Sequence, residues 1–70
     1  VCSSKTAAYN MLLIMDGIKC WGQDGYTYGQ YHLWTGCVLD GETVYTDATI
    51  HSDTNFALTR AELSKTHVFA

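Results

Sequence analysis

Positive charge is scarce in this chain of 70 residues, which has four Lys and Arg against seven Asp and Glu and a formal net charge of −3. A negative net charge gives no general attraction to phosphate groups or to an acidic membrane surface. Long apolar runs are lacking too, because the stretch from Met11 to Met15 is far shorter than the roughly 18 residues of a membrane-spanning helix. The sequence opens without Met and without a basic, signal-like segment, so we expect a domain excised from a longer chain or a processed product.

A self-contained disulfide framework is also lacking, since the cysteines number three: Cys2, Cys20 and Cys37. There is no C-x-x-C pair, and the cysteine spacing matches neither a zinc ribbon nor a zinc finger. We therefore expect three free thiols in a reducing compartment. One disulfide plus an odd thiol in a secreted protein is the alternative.

Apolar residues are plentiful, at 47% of the chain, and charged residues make up 16%, which favours a folded domain over disorder. A domain this short buries only about 60% of the surface that its unfolded chain exposes, so we expect marginal stability. The first predicted element is a helix over residues 7–15, because apolar side chains recur there with helical spacing and Gly17 follows as a C-cap. A strand that turns at Asp16 and Gly17 is the alternative.

The strongest local signal is a β-hairpin in which residues 31–39 pair with residues 42–50 about a two-residue turn at Asp40 and Gly41. Side chains alternate between the two faces of a strand, so this register defines one face as the core. The residues predicted to be buried on that face are Leu33, Cys37, Leu39, Val44 and Ile50.

Shorter elements are predicted on both sides of the hairpin. They are a strand over residues 18–21, a turn over 22–25, a polar loop over 51–55 and a final strand over 67–69. A capping box formed by Thr59 and Glu62 starts a short helix near residue 60. The predicted class is α+β, with an N-terminal and a C-terminal helix packed on one face of an antiparallel sheet.

Several segments, in the order "SSKT", an apolar helix, a Trp, "YTYGQ", "VLDGETVYT" and "FALTRAELSKTHVF", resemble one viral domain family. The chain is similar to the C-terminal subdomain of the SARS-unique region of coronavirus non-structural protein 3, the domain that precedes the ubiquitin-like and papain-like protease domains. The resemblance implies a frataxin-like fold. It also implies a non-enzymatic accessory unit of a membrane-tethered replicase protein in the host cytoplasm, which binds RNA or modulates RNA binding by a neighbouring domain.

A catalytic constellation is not predicted. The ingredients of a metal-free ribonuclease are present, but no motif fixes their relative geometry; they are His32, His51, His67, Glu42, Glu62 and Arg60. Surface or hairpin-end histidines are the favoured interpretation. The aspartates do not form a calcium loop, and the first helix lacks the carboxylate ridge of iron-binding frataxins. We therefore expect no enzyme activity, no metal and no cofactor.

Aromatic side chains on the second hairpin face suggest a binding surface. Trp34 and Tyr45 lie on this second face, which is predicted to be partly exposed to solvent. Tyr45 is expected to cover the backbone of Gly36, which has no side chain of its own. Such aromatics stack RNA bases in single-stranded RNA modules, but packing of the hairpin is the favoured interpretation. The candidate RNA-binding residues are Lys19, Trp34, Tyr45, Arg60 and Lys65.

Few basic residues mean weak, salt-sensitive RNA binding by what we expect to be a monomer that does not itself insert into a membrane. The expected partners are neighbouring replicase domains and single-stranded RNA. A protein-interaction or spacer domain without RNA binding is the alternative function, because aromatic surfaces also suit contacts between domains. A small secreted effector is a more distant alternative.

Overall fold

The computed structural model describes residues 2–48 and 56–70, the first three of them as backbone alone. In chain order the elements are the helix α1 (Cys2–Met15), the strands β1 (Cys20–Thr27), β2 (Gln30–Leu39) and β3 (Glu42–Thr46), the short helix α2 (Arg60–Leu63) and the strand β4 (His67–Phe69). The four strands form one antiparallel sheet in the order β3-β2-β1-β4. The protein is therefore an α+β domain, as the sequence predicts.

The helix α1 confirms the helical interpretation of residues 7–15. Its end is fixed by Gly17, which adopts a φ of +78°, a left-handed conformation that glycine takes at little cost. The amide of Gly17 donates to the carbonyl of Ile14, and the amide of Ile18 donates to that of Leu13. This pair of bonds is the Schellman arrangement, which satisfies carbonyls that would otherwise lack a partner at the end of a helix. Within the described residues, no helix is long and apolar enough to cross a membrane.

The predicted hairpin is present in the predicted register, with Cys37 opposite Val44 and Leu39 opposite Glu42. Asp40 and Gly41 both have positive φ values, which is the requirement of a two-residue type I′ turn. The second strand is shorter than predicted, because β3 ends at residue 46. Residue 48 therefore forms no ladder pair with β2, and the predicted pairing of residue 50 lies outside the described residues.

The predicted turn at residues 22–25 is wrong, because β1 runs without interruption through those residues. Gly25 serves close packing instead. A Cβ atom on Gly25 would overlap the carbonyl oxygen of Val68 and would lie 2.6 Å from Cη2 of Trp34. The chain turns later, at Tyr28 and Gly29, which both have positive φ values. A glycine within a strand can thus mark close approach of a neighbouring strand's backbone rather than a turn of the chain.

The two helices lie on opposite faces of the sheet, contrary to the prediction that both cover one face. On the first face, which we call the α1 face, Thr6 of α1 donates a hydrogen bond of 3.1 Å to the carbonyl of Leu33, and Thr35 donates one of 2.6 Å to Asn10. On the α2 face, Leu63 is buried in α2. Neighbouring residues of β2 point to opposite faces of the sheet, so one set of side chains meets α1 and the other meets α2.

The prediction that one hairpin face is buried is confirmed for Cys37 and Val44 on the α1 face, where Leu33 and Leu39 are half-buried. The aromatic core cluster, however, lies on the α2 face, which the sequence predicts to be partly exposed to solvent. Trp34 has an exposed fraction of 0%, and it packs with Tyr45 and Leu63. Phe69 of β4 completes the cluster, with its ring centroid 5.2 Å from that of Trp34 and 4.9 Å from that of Tyr45, both edge to face. Gly36 is covered by an aromatic ring, but by the indole of Trp21 rather than by the predicted Tyr45; Cε2 of Trp21 lies 2.5 Å from the position of a Cβ atom.

The predicted capping box starts α2. The side chain of Thr59 accepts from the amide of Glu62, and the carboxylate of Glu62 accepts from the amide of Thr59. Hydrogen bonds to the backbone and the side chain of Thr59 lower the pKa of the exposed Glu62 carboxyl. A helix of four residues is thus positioned by local hydrogen bonds, so that Leu63 reaches the core.

Candidate functional site

Two histidines converge on one buried carboxylate at the edge of the core. Oδ2 of Asp47 lies 2.8 Å from Nε2 of His32 and 2.8 Å from Nε2 of His67. The side chains of Asp47 and His67 are buried, whereas that of His32 keeps an exposed fraction of 11%. The three ligand-type atoms lie within 4.8 Å of one another. We call this group the His-Asp-His cluster.

Sheet register brings the cluster together from β2, from β4 and from the residue that follows β3. His32 lies on β2 opposite Gly25 of β1, and His67 is the first residue of β4, opposite Thr27 of β1. The two histidines therefore flank β1, which places only small side chains between them. Asp47 follows directly after β3, on the far side of β2. Its side chain points back over the sheet, on the α2 face.

Trp34 forms an apolar wall beside the cluster. Its ring centroid lies 4.8 Å from that of His67, in an edge-to-face arrangement, and 6.1 Å from that of His32. The indole Nε1 of Trp34 is buried and has no hydrogen-bond partner among the described residues. An apolar wall lowers the local dielectric constant, which strengthens each electrostatic interaction within the cluster.

A second layer of hydrogen bonds holds His67 in place. Its Nδ1 lies 2.8 Å from Oγ1 of Thr66, and that hydroxyl lies 3.4 Å from the carbonyl oxygen of Leu63. The backbone of Thr66 is fixed in turn, because Thr27 donates a hydrogen bond of 2.9 Å to its carbonyl oxygen. The ring of His67 thus has a defined polar contact on each of its two nitrogens.

The cluster has two chemical uses. Without a metal, both imidazoles donate an Nε2–H to the carboxylate of Asp47, which satisfies three buried polar side chains at once. With a metal, the same atoms supply two neutral imidazole nitrogens and one carboxylate oxygen, which are common ligands of zinc and related ions. Both uses depend on the same three side chains.

The residues predicted to bind RNA do not form one surface. Trp34 and Tyr45 belong to the core, which leaves Trp34 no exposed ring face for a base. The guanidinium of Arg60 lies 4.5 Å from the ring centroid of Phe69, a cation–π contact on the outside of the core. Lys65 follows α2 and is exposed, whereas Lys19 is exposed just before β1.

The histidines and acids considered as ribonuclease ingredients are separated in part. The structure joins His32 and His67, but Glu62 is engaged in the capping box and Glu42 is exposed at the tip of the hairpin. The third histidine, His51, lies outside the described residues. The described part of this set therefore does not converge on one catalytic centre.

Sequence reasoning missed the role of Asp47. In the predicted hairpin register, Asp47 lies on the face predicted to be partly exposed to solvent, where a carboxylate is unremarkable. The available signal was its alternation, which puts Asp47 on the same face as Tyr45 and, across the hairpin, as Trp34. A carboxylate that shares a face with two large aromatics needs a buried partner if that face is the core.

Two cysteines form a cross-strand pair on the α1 face. Cys20 and Cys37 are free thiols that lie directly opposite each other, and Cys37 is buried. The amide of Val38 donates to the carbonyl of Lys19, which makes this a pair without mutual backbone hydrogen bonds, the geometry in which side chains come closest. Burial, and secondarily the neighbouring Cys20, raise the pKa of the Cys37 thiol. The predicted free thiols are thus present at these two positions.

The outer side of α1 carries large apolar side chains that face water. Met11, Leu12, Ile14 and Met15 have exposed fractions between 62% and 78%. With the smaller exposed Ala7 and Ala8 they form what we call the α1 outer face. The inner side of the same helix is mixed, with the half-buried Tyr9 and Leu13 beside Thr6 and Asn10, which form hydrogen bonds to the sheet.

Tyrosines are exposed on the uncovered part of the α1 face. Tyr26 of β1 and Tyr31 of β2 are directly opposite each other, with ring centroids 5.9 Å apart in an edge-to-face arrangement. Val68 of β4 is the neighbour of Tyr26 on the other side and is also exposed. Tyr28, in the turn, is the most exposed of the aromatics, at 83%.

Comparison of the chain with protein-family models, with curated proteins and with solved structures finds no match.

Proposed function

We propose that this protein is a non-enzymatic binding module that contacts a protein partner through the α1 outer face. The carrying observation is the apolar side of α1 that faces water. A surface helix ordinarily turns its apolar side to the core and its polar side to water. Here Thr6 and Asn10 face the sheet, whereas Leu12 and Met15 face solvent. An apolar stripe in that position is explained by a surface that covers it.

Methionine suits such a contact, because its flexible, polarizable side chain adapts to irregular apolar surfaces. Both methionines of the chain, Met11 and Met15, lie on the α1 outer face. Large apolar patches of a few hundred Å² that stay exposed on a folded protein commonly mark interaction sites. The composition of the face therefore favours a protein partner over an RNA, which would require basic residues.

The size of the face favours a grooved partner rather than a second copy of this chain. A stable interface buries about 800 Å² on each partner, and the outer stripe of one 14-residue helix offers less than that when it packs against a single identical helix. A hydrophobic groove that surrounds the outer half of α1 covers more of each side chain. We therefore infer helix-in-groove recognition by a different protein surface.

Photo-crosslinking tests this proposal. A photoreactive residue in place of Leu12 is expected to crosslink, in the cells that make the protein, to residues that line an apolar groove of one partner. Purified partner should then bind the Leu12→Gln protein at least tenfold more weakly than the original protein, since an amide would enter an apolar site. Tyr28→Asn is the matched control, because it removes an exposed aromatic from a distant turn. Equal affinity of the original and Leu12→Gln proteins, or crosslinks to a second copy alone, would contradict the proposal.

A second candidate function is weak binding of single-stranded RNA, which the exposed pair of Tyr26 and Tyr31 favours. Two tyrosines on neighbouring strands are a stacking platform of the kind that single-stranded RNA modules use. This surface takes the place of the predicted Trp34 and Tyr45. An NMR titration with short RNAs at low salt should shift the signals around Tyr31, and moderate salt should abolish the shifts, because few cations are available for phosphate contacts.

The resemblance to the coronavirus subdomain suggests in which larger protein and compartment both candidate functions would operate. We propose, on that resemblance, an accessory unit of a viral replicase protein in the host cytoplasm, with a neighbouring domain as the partner of α1. The frataxin-like arrangement implied by the resemblance has both helices on one face. A relationship to that fold therefore requires that the short α2 has moved to the other side of the sheet.

A further inference from the structure

We propose that the His-Asp-His cluster binds a divalent transition-metal ion of the zinc class. The ligand atoms are Nε2 of His32, Oδ2 of Asp47 and Nε2 of His67. Two neutral imidazoles and one carboxylate are a ligand set that zinc, cobalt and iron(II) accept, whereas calcium and magnesium prefer oxygen alone.

The spacing of the three atoms reaches what an ion requires after side-chain shifts of up to about 1.5 Å. For bonds of about 2.0 Å at tetrahedral angles, ligand atoms lie about 3.3 Å apart. Each histidine nitrogen is 2.8 Å from the carboxylate oxygen, and all three atoms lie within 4.8 Å of one another. An ion therefore fits when Asp47 withdraws by about half an ångström from each imidazole and the two imidazoles approach each other.

Thr66 supports the metal-bound state as well as the metal-free state. In the metal-free state its hydroxyl donates to Nδ1 of His67, whose Nε2–H donates to Asp47. When an ion takes the Nε2 lone pair, Nδ1 carries the proton and donates to Thr66, and the hydroxyl then donates to the carbonyl of Leu63. Both acceptor positions are in place, at 2.8 and 3.4 Å. A histidine ligand held by a hydrogen bond to its second nitrogen is the usual arrangement at metal sites.

The position of the cluster explains what an ion would contribute. It would connect the hairpin of β2 and β3 with β4, whose ligand His67 lies 20 residues beyond Asp47 in the chain. Binding to residues that converge only in the folded chain stabilises the fold, which matters in a domain of this size. Three protein ligands leave one coordination position of a tetrahedral ion for water or a small anion.

Metal titration of the chelator-treated protein tests the proposal. We expect the unfolding midpoint temperature to rise with the concentration of free Zn²⁺ and to respond little to Mg²⁺. Co²⁺ should give visible absorption bands of four- or five-coordinate cobalt without thiolate charge-transfer absorption. On addition of Zn²⁺, ¹⁵N spectra should show that the proton of His67 moves from Nε2 to Nδ1. These readouts use the unaltered protein, so they do not depend on whether a variant folds.

Variants assign the ligands. Asp47→Asn and His32→Gln should each weaken Zn²⁺ binding by more than a hundredfold, and Thr66→Ala should weaken it by about 10- to 100-fold, as the loss of an outer hydrogen bond does elsewhere. Glu42→Gln removes an exposed carboxylate and Cys37→Ser removes a thiol on the opposite face, so both should bind as the original protein does. An unchanged midpoint at millimolar Zn²⁺, thiolate absorption with Co²⁺, or equal loss in Glu42→Gln would overturn the proposal.

Discussion

Removal of the carboxylate at the centre of the His-Asp-His cluster is expected to destabilise the metal-free protein severely. In Asp47→Ala, His32 and His67 each lose the acceptor that lies 2.8 Å from Nε2. A buried donor left without a partner costs about 1–3 kcal/mol, so two such donors cost about 2–6 kcal/mol. Domains have about 0.05–0.15 kcal/mol of stability per residue, which for this chain is about 3.5–10 kcal/mol in total. The substitution is thus expected to remove about half of the stability.

Urea unfolding in the presence of a chelator measures this loss, with tryptophan fluorescence as the signal, because Trp34 is fully buried next to the cluster. The chelator separates the hydrogen-bond contribution from any contribution of a bound ion. Glu42→Ala is the control, since removal of an exposed carboxylate should change the free energy of unfolding by no more than about 0.5 kcal/mol. A loss below about 1 kcal/mol in Asp47→Ala would refute the reasoning, because it would mean that water replaces the carboxylate at both imidazoles.

Three further predictions concern other parts of the fold. Gly25→Ala should destabilise by about 1–3 kcal/mol or more, because its Cβ would overlap the Val68 carbonyl, whereas Gly29→Asn, in an open turn, should be nearly neutral in urea unfolding. The pKa of Glu62 is lowered in the folded protein. The ionised carboxylate therefore contributes to the stability of the fold above the pKa of the unfolded chain, and this contribution is lost as pH falls through the pKa of the folded protein. Glu62→Gln should therefore weaken the loss of stability at acidic pH. If stability falls with acid as steeply in Glu62→Gln as in the original protein, the capping box is not what lowers the pKa of Glu62. Because burial raises the pKa of Cys37, alkylation without reductant should label it much more slowly than Cys20, and unfolding should allow three labels; fewer than three would indicate a disulfide.

Local signals predicted the elements that depend on neighbours in the chain. Gly17 fixed the end of α1, the Asp40-Gly41 pair fixed the hairpin register, and the capping box fixed the start of α2. Each of these signals acts through hydrogen bonds or dihedral angles within a few residues. For that reason they could be interpreted without knowledge of the remaining fold.

Non-local packing decided what sequence reasoning missed. A glycine such as Gly25 is compatible with a turn or with close backbone approach, and only the positions of Trp34 and Val68 distinguish the two. Likewise, the hairpin pattern cannot show which face a four-residue helix will cover, so the burial of Cys37 and Val44 was predicted but that of Trp34 and Tyr45 on the other face was not. The His-Asp-His cluster depends on the strand order, which places β4 next to β1, and that order is not encoded in any local motif.

Hydroxyl-radical footprinting tests the proposed contact of α1 most directly. Both methionines of the chain lie on the α1 outer face and react readily when they are exposed, and the exposed Tyr28 serves as an internal reference. The account predicts that Met11 and Met15 are oxidised several-fold more slowly in the protein within its native cell extract than in the purified protein, while Tyr28 reacts equally in both. Equal oxidation of both methionines in the two samples would contradict the account.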